Sequence, residues 1–316
     1  MSEQPLRPER FKSRASRPAA LRKLLRARQF FIAPGAYDCI TARLVETSGF
    51  PAGYVTGSGI SLSMLGAPDV GLVSYAEVRE RIAAIADATD LPLIADIDTG
   101  YGGPLNVMRT VKDLEHAGVA ALQIEDQAWP KKCGHEPGKR LVDTAEMTGR
   151  LGAALDARND ADLVIIARTD AIAVEGLEAA LDRAHAYVEA GADVIFVEAP
   201  PTRDAMKRVA TQIRAPLLAN MVEGGKTPML SRDELAALGF AFAIYPNALT
   251  RLFARAGLDM LASLAKKHPN QLVLVHTQGT LKPTQDAKLW VNELHPYNDS
   301  FALLAKPFYD KLRSLL

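Results

Sequence analysis

The chain has 316 residues, 48% of them hydrophobic, and carries 37 basic and 37 acidic side chains. That balance provides no global field to draw in nucleic acid or an anionic membrane. No apolar run reaches the roughly 18 residues needed to span a bilayer. The two cysteines, Cys39 and Cys133, show neither metal-type spacing nor a disulfide framework, so a reducing, cytoplasmic setting is expected.

Residues 1–16 are polar and arginine-rich without the apolar core of a secretory signal. They read as a flexible arm, and Glu3 and Glu9 count against a transit peptide. From Gln29 onward, short β-type runs alternate with helical patterns. The expected strands are Phe30–Ala33, Gly53–Thr56, Leu93–Asp96, Ala120–Ile124, Leu163–Arg168, Val194–Val197, Leu217–Ala219 and Ala241–Tyr245. They are apolar with almost no alternation, as strands buried on both faces require. Between them, Leu177, Ala180, Leu181, Ala184, Tyr187 and Val188 make an apolar stripe at helical spacing. Gly118 and Gly191 follow such stripes, where a left-handed C-cap is wanted. Ser74, Thr144 and Ser231 stand where N-caps belong.

Eight strand–helix units in one run predict an α/β fold, a closed (β/α)8 barrel over residues 17–270. The alternative is an open doubly wound sheet, but its G-x-G-x-x-G fingerprint fails at Leu62, where the third glycine is needed. Gly225-Lys226-Thr227 imitates the end of a P-loop, yet the first glycine of that motif falls on Asn220. Ala248–Lys267 reads as the last helix, broken at His268-Pro269-Asn270. Residues 271–316 read as a helical extension. Trp290, Phe301, Phe308 and Tyr309 are expected to pack on the barrel or on another subunit.

In such barrels the chemistry lies at the carboxyl ends of the strands. The expected ends deliver Thr56-Gly57-Ser58, then Asp96 and Asp98, Glu125 and Asp126, Arg168 and Asp170, Glu198, Asn220, and Tyr245 leading to Arg251. Asp96 and Asp98 lie two apart, so in an extended segment both face one side. With Glu125 they form a hard-oxygen set suited to Mg²⁺ or Mn²⁺. Asp98-Thr99-Gly100 can equally be a plain turn. Arg168 and Arg251 suit carboxylate binding, although Arg168 could instead serve a structural ion pair with Asp170 or Glu198. After the fourth strand comes Trp129-Pro130-Lys131-Lys132-Cys133-Gly134-His135. A lone cysteine is more often a small buried apolar residue, but cationic neighbours stabilise a thiolate. That company marks Cys133 as a candidate proton-transfer group.

At these residues the sequence resembles the isocitrate lyase and phosphoenolpyruvate mutase superfamily. The similarity lies in Lys131-Lys132-Cys133-Gly134-His135, the signature of its lyase branch, and in Tyr54–Ser58, Ala95–Gly102, Ile124–Gln127, Ala167–Ala171 and Val197–Ala199. The resemblance implies a barrel with C-terminal helices swapped between subunits, in a homotetramer. It implies Mg²⁺ on Asp96 and Asp98 with Glu125 nearby. Thr56, Gly57 and Ser58 would bind a substrate carboxylate; Gly134, His135, Arg168, Glu198, Asn220 and Arg251 would complete the pocket. Cys133 would be the acid–base residue, and Tyr54 a candidate general base. The implied reaction is retro-aldol-type cleavage of a small 2-hydroxy di- or tricarboxylate. Asn220–Pro228 and Asp126–Pro130 look like 2-alkylmalate and 2,3-dimethylmalate lyases, whereas Tyr245-Pro246 and Arg251 look like methylisocitrate lyases. Oxaloacetate hydrolase or decarboxylase and carboxyphosphonoenolpyruvate mutase activities are alternatives on the same scaffold. A non-catalytic small-acid binder is a different class, but a pure binder has no need of the thiol.

Overall fold

The computed structural model describes residues 16–134 and 136–265. The N-terminal arm, His135 and the C-terminal extension with Trp290, Phe301, Phe308 and Tyr309 lie outside the described residues. The strands are β1 (Phe31–Ala36), β2 (Gly53–Val55), β3 (Leu93–Asp96), β4 (Ala121–Glu125), β5 (Val164–Thr169), β6 (Val194–Val197), β7 (Leu217–Asn220) and β8 (Phe242–Tyr245). Each pairs in parallel with the next, and β8 closes on β1. Before β1 comes α1 (Ser16–Arg26). Then follow α2 (Cys39–Thr47), α3 (Gly57–Leu65), α4 (Tyr75–Ala88), α5 (Pro104–Ala117), α6 (Thr144–Ala157), α7 (Leu177–Glu189), α8 (Arg203–Gln212) and α9 (Arg232–Leu238). The chain divides into two units after Ala248, and α10 (Ala248–Ala265) carries it into the second. This is the expected (β/α)8 barrel. No helix among the described residues is long and apolar enough to cross a membrane.

The barrel closes because its strands are apolar on both faces. Phe31, Ala33, Tyr54, Ile94, Ala121, Val164, Ile166, Val194, Phe196, Leu218, Phe242 and Ile244 belong to one buried cluster. Phe31 and Phe242 stack across the closing seam with centroids 4.8 Å apart. Leu21 of α1 joins the same cluster. The helix is fastened there by Arg22, which donates to the Ala161, Asp162 and Leu163 carbonyls and to Asp193 Oδ1 at 2.7 Å. The seam also needs Gly35. A Cβ there would collide with the Pro246 backbone carbonyl. Gly35→Ala is therefore expected to destabilise the barrel by about 1–3 kcal/mol, read as a lower urea midpoint. An unchanged midpoint would mean that the seam can yield.

Several ends differ from expectation for identifiable reasons. β4, β5 and β7 each run one residue further than predicted, through Glu125, Thr169 and Asn220. These polar residues read as loop, but their backbones stay in the ladder; the side chains of Glu125 and Asn220 line the cavity, while the Thr169 hydroxyl accepts from Ala171 N. The N-cap of α6 is Asp143, whose carboxylate accepts from Glu146 N at 2.6 Å; Thr144 is the first helical residue. Ser74 and Ser231 cap α4 and α9 through full capping boxes. Gly118 and Gly191 both adopt the left-handed conformation expected of them.

Candidate active site

The strand ends deliver their side chains to one cavity. It is lined by Tyr54, Thr56, Ser58, Asp96, Glu125, Cys133, Gly134, Arg168, Glu198 and Asn220 among others. The register sets neighbours side by side: Asp96 against Gln123, Glu125 against Arg168, and Arg168 against Phe196. Arg168 is buried, with its guanidinium 5.0 Å from the Phe196 ring centroid. Its Nε lies 2.9 Å from Asp170 Oδ2 and 3.4 Å from Glu125 Oε2, and its Nη2 lies 3.4 Å from Glu198 Oε2. The structural ion pair with Asp170 is formed, and the arginine also lines the cavity. Asn220 Nδ2 donates to Glu198 Oε2 at 3.1 Å, while Asn220 Oδ1 is buried with no hydrogen-bond partner.

Asp96 and Asp98 come together, but not by strand alternation. Asp98 follows β3 with φ 50, so the chain has already turned, and its N–H donates to Asp96 Oδ1 at 3.1 Å. The turn and the acidic pair are thus one feature. Asp98, Tyr101 and Ala199 are non-glycine residues with positive φ, and strained backbone of this kind collects at functional sites. Gly57 opens α3 beside the pair: a Cβ there would lie 3.4 Å from Asp96 Oδ2 and 3.5 Å from Asp98 Oδ1. Thr56 caps the helix by accepting from Gly59 N at 3.3 Å. The N–H groups at the start of α3 therefore open next to the cavity, a natural anion seat. Tyr54 OH donates to Gln123 Oε1 at 2.7 Å and lies 3.2 Å from Asp96 Oδ2.

The thiol loop lies across this mouth. Cys133 N donates to the Asp69 carbonyl at 3.1 Å. A Cβ on Gly134 would strike Arg168 Nη2 and Glu198, so the loop backbone rests directly on the guanidinium–carboxylate pair. The remaining cavity measures about 40 Å³, room for roughly two or three waters. Lys131, expected to favour the thiolate, commits its ammonium elsewhere, at 2.6 Å from Asp69 Oδ1 and 2.5 Å from Asp98 Oδ1.

Burial shapes the electrostatics. Desolvation lifts the Asp98 carboxyl to about 6, with Asp96 and Asp69 adding to the rise and Lys131 opposing it. Desolvation likewise drives Glu125 well above the usual carboxylate range against the pull of Arg168. Tyr54 is held well above the ordinary phenol value by burial and by Asp96. Burial alone would lower Lys131, but Asp98, Asp69, Glu125 and Asp96 outweigh it and keep the ammonium charged. Whether these residues suit a hard divalent ion can be judged from the oxygens. Glu125 Oε1 is buried with no hydrogen-bond partner, and Asp98 Oδ1 accepts no hydrogen bond of good geometry although Lys131 lies close. No three His, Cys, Asp or Glu side chains among the described residues converge tightly enough to cage an ion alone. Mg²⁺ asks for less, one or two carboxylates with water or substrate in the other positions. The donor set fits it.

The sequence-predicted residues that the first unit carries as described residues meet at one mouth: Tyr54, Thr56, Gly57, Ser58, Asp96, Asp98, Glu125, Cys133, Gly134, Arg168, Glu198 and Asn220. Arg251 belongs to α10 in the second unit. Sequence reasoning missed Asp69, Gln123, Gln127 and Lys139. Asp69 sits in the loop between α3 and α4, where Pro68-Asp69 reads as ordinary turn chemistry. Gln123 stands two residues before Glu125 in β4, on the same face, and that spacing was a usable signal.

Residues 21–265 match the phosphoenolpyruvate phosphomutase family. The chain is 48% identical over 246 residues to 2,3-dimethylmalate lyase of Eubacterium barkeri, covering 78% of this chain and 85% of that protein. It is 45% identical over 230 residues to 2-methylisocitrate lyase of Shewanella oneidensis, covering 73% and 79%. A crystal structure of 2,3-dimethylmalate lyase superposes with a TM-score of 0.79 at 37% identity, over 85% of this chain and 89% of that one. A matching family model over most of the barrel, close relatives and a shared architecture agree, and this chain belongs to the phosphoenolpyruvate mutase/isocitrate lyase superfamily of enzymes.

Proposed function

We propose that the enzyme is a divalent-metal-dependent carbon–carbon lyase. Its substrate is a small 2-hydroxy di- or tricarboxylate of the 2,3-dimethylmalate or 2-methylisocitrate type, cleaved to pyruvate or glyoxylate and a second carboxylate. The observation that carries this reading is the meeting of acidic oxygens, a guanidinium and a thiol around one cavity, in Asp96, Glu125, Arg168 and Cys133.

Asp96 and Asp98, with Glu125 beside them, would hold Mg²⁺, or Mn²⁺ in its place. Bound there, the ion would supply Lewis-acid stabilisation of substrate oxygens. The start of α3, with Thr56, Gly57 and Ser58, receives a substrate carboxylate. The substrate hydroxyl must lose a proton as the carbon–carbon bond breaks. Tyr54 commits its one proton to Gln123 or Asp96, the two acceptors in reach, so it is set to orient them rather than to take a proton. Glu125 Oε1, buried with no hydrogen-bond partner, is the acceptor that we assign, in the carboxylate form that Arg168 favours and that a cation bound beside it would favour further. Arg168 stabilises charge growing on the departing carboxylate fragment, held in place by Asp170 and flanked by Glu198. Cys133 Sγ then gives its proton to the carbon that lost its partner, leaving a thiolate to be reprotonated from solvent.

A panel of acids tests this reading: 2,3-dimethylmalate, 2-methylisocitrate, isocitrate and oxaloacetate, each with and without EDTA. Release of pyruvate or glyoxylate is expected from at least one hydroxy acid, abolished by EDTA and restored by Mg²⁺. Release of oxalate from oxaloacetate alone would move the site to hydrolase chemistry. No product from any acid would leave a binding protein.

A further inference from the structure

The loop bearing Cys133 is held on both sides of the thiol. Upstream, the Gln127 side chain brackets Lys132: its Oε1 accepts from Lys132 N at 3.0 Å, and its Nε2 donates to the Lys132 carbonyl at 2.8 Å. Downstream, the fastening is ionic. Lys139 Nζ donates to the Gly134 carbonyl and lies 2.6 Å from Asp170 Oδ1. The Lys139 side chain is 1% exposed and that of Asp170 0%. An ammonium this deep must keep its acceptors, because water cannot replace them. Asp170 is also the carboxylate that grips Arg168, at 2.9 Å from Nε. One buried acid therefore ties the cavity guanidinium to the anchor of the thiol loop. Nothing in the local pattern around Lys139 announces this, since its partner lies thirty-one residues away.

We propose that Lys139 is a positioning residue for Cys133: its ammonium, fixed by Asp170, ties down the Gly134 carbonyl and holds the thiol over the cavity. The effect on turnover rests on the lyase reading above; the effect on the loop does not. Without the ammonium, the Gly134 carbonyl loses a charged donor, and the loop detaches more often. A thiol on a detached loop is open to reagents and seldom aligned with a reacting carbon.

The test uses the full chain in a Cys39→Ser background, so that iodoacetamide reports on Cys133 alone. Lys139→Met is compared with its parent. Loss of one charge-assisted hydrogen bond predicts alkylation faster by about tenfold. The same loss predicts kcat lower by about tenfold, with KM changed far less, the mark of a group aligned for the reacting state rather than for binding. A purely structural lysine would lower the melting temperature and leave the alkylation rate of the folded protein where it was, and that result would overturn the proposal. Should Lys139→Met fail to fold, Lys139→Gln, which keeps a donor and gives up the charge, is read in the same way. Faster alkylation supports the latch, and a parental rate sinks it. A variant that alkylates as expected in a protein that cleaves no acid would remove the lyase reading and keep the latch.

Discussion

Cys133→Ser is expected to lower kcat by about 10²–10⁴, the usual contribution of a positioned proton donor, while product binding survives. A serine hydroxyl fills nearly the same space, so the loop still closes on Arg168 and Glu198. It is a far weaker acid than a thiol, whose ordinary pKa of about 8.5 lies within reach of neutral pH. Proton delivery to carbon therefore fails, whereas the groups that bind the carboxylates are untouched. Steady-state kinetics gives the loss, and titration calorimetry with pyruvate or the second product gives the retained affinity. Cleavage at more than a tenth of the parental rate would take the thiol out of the reaction. Loss of product binding would instead mean that the sulfur shapes the pocket.

How much of this could be read from the amino-acid order depends on the range of the physics. Val194–Val197 and Leu93–Asp96 were placed to the residue because a strand with both faces buried must be continuously apolar, a local signature. Glu125, Thr169 and Asn220 were misjudged as lying past their strands because local polarity was taken for exposure. Each is buried or half-buried: Glu125 and Asn220 line the cavity, and the Thr169 hydroxyl is spent on Ala171 N. The acidic pair Asp96 and Asp98 was found for an imperfect reason. Alternation along a strand predicted it, and a left-handed turn at Asp98 produces it. The anchors of the thiol loop were out of reach. Gln127 and Lys139 act on residues five positions away through loop geometry that has no periodicity. Asp69 meets Lys131 only because the α3–α4 loop folds back over the mouth. Ion pairs formed by tertiary folding leave no spacing to detect, and these fix the orientation of the groups that the motifs could name.

Asp170 is where orientation and stability meet, and Asp170→Asn is expected to destabilise the fold by about 3–5 kcal/mol at neutral pH, the range for removing one partner from a buried charge network. Its carboxylate faces Arg168 and Lys139, and its own N–H donates to Asp126 Oδ1 at 2.9 Å. Burial would raise the carboxyl pKa, but Arg168 and Lys139 outweigh burial and hold it at about 2. The unfolded chain protonates the same group near 3.9. A folded value below the unfolded one means that ionisation favours the fold. That contribution, about 2–3 kcal/mol by linkage, is complete above about pH 5 and fades as pH falls toward 2. Denaturant titrations of both proteins should therefore give a stability gap that is level from pH 5 to pH 8. The gap should shrink between pH 4 and pH 2, because the parent then carries a neutral acid where the variant carries a neutral amide. A gap that stayed constant down to pH 2 would show that Asp170 acts through hydrogen-bond shape alone. A gap that closed already near pH 5 would place its proton on the wrong side of the balance and break the link drawn here between Arg168, Asp170 and Lys139.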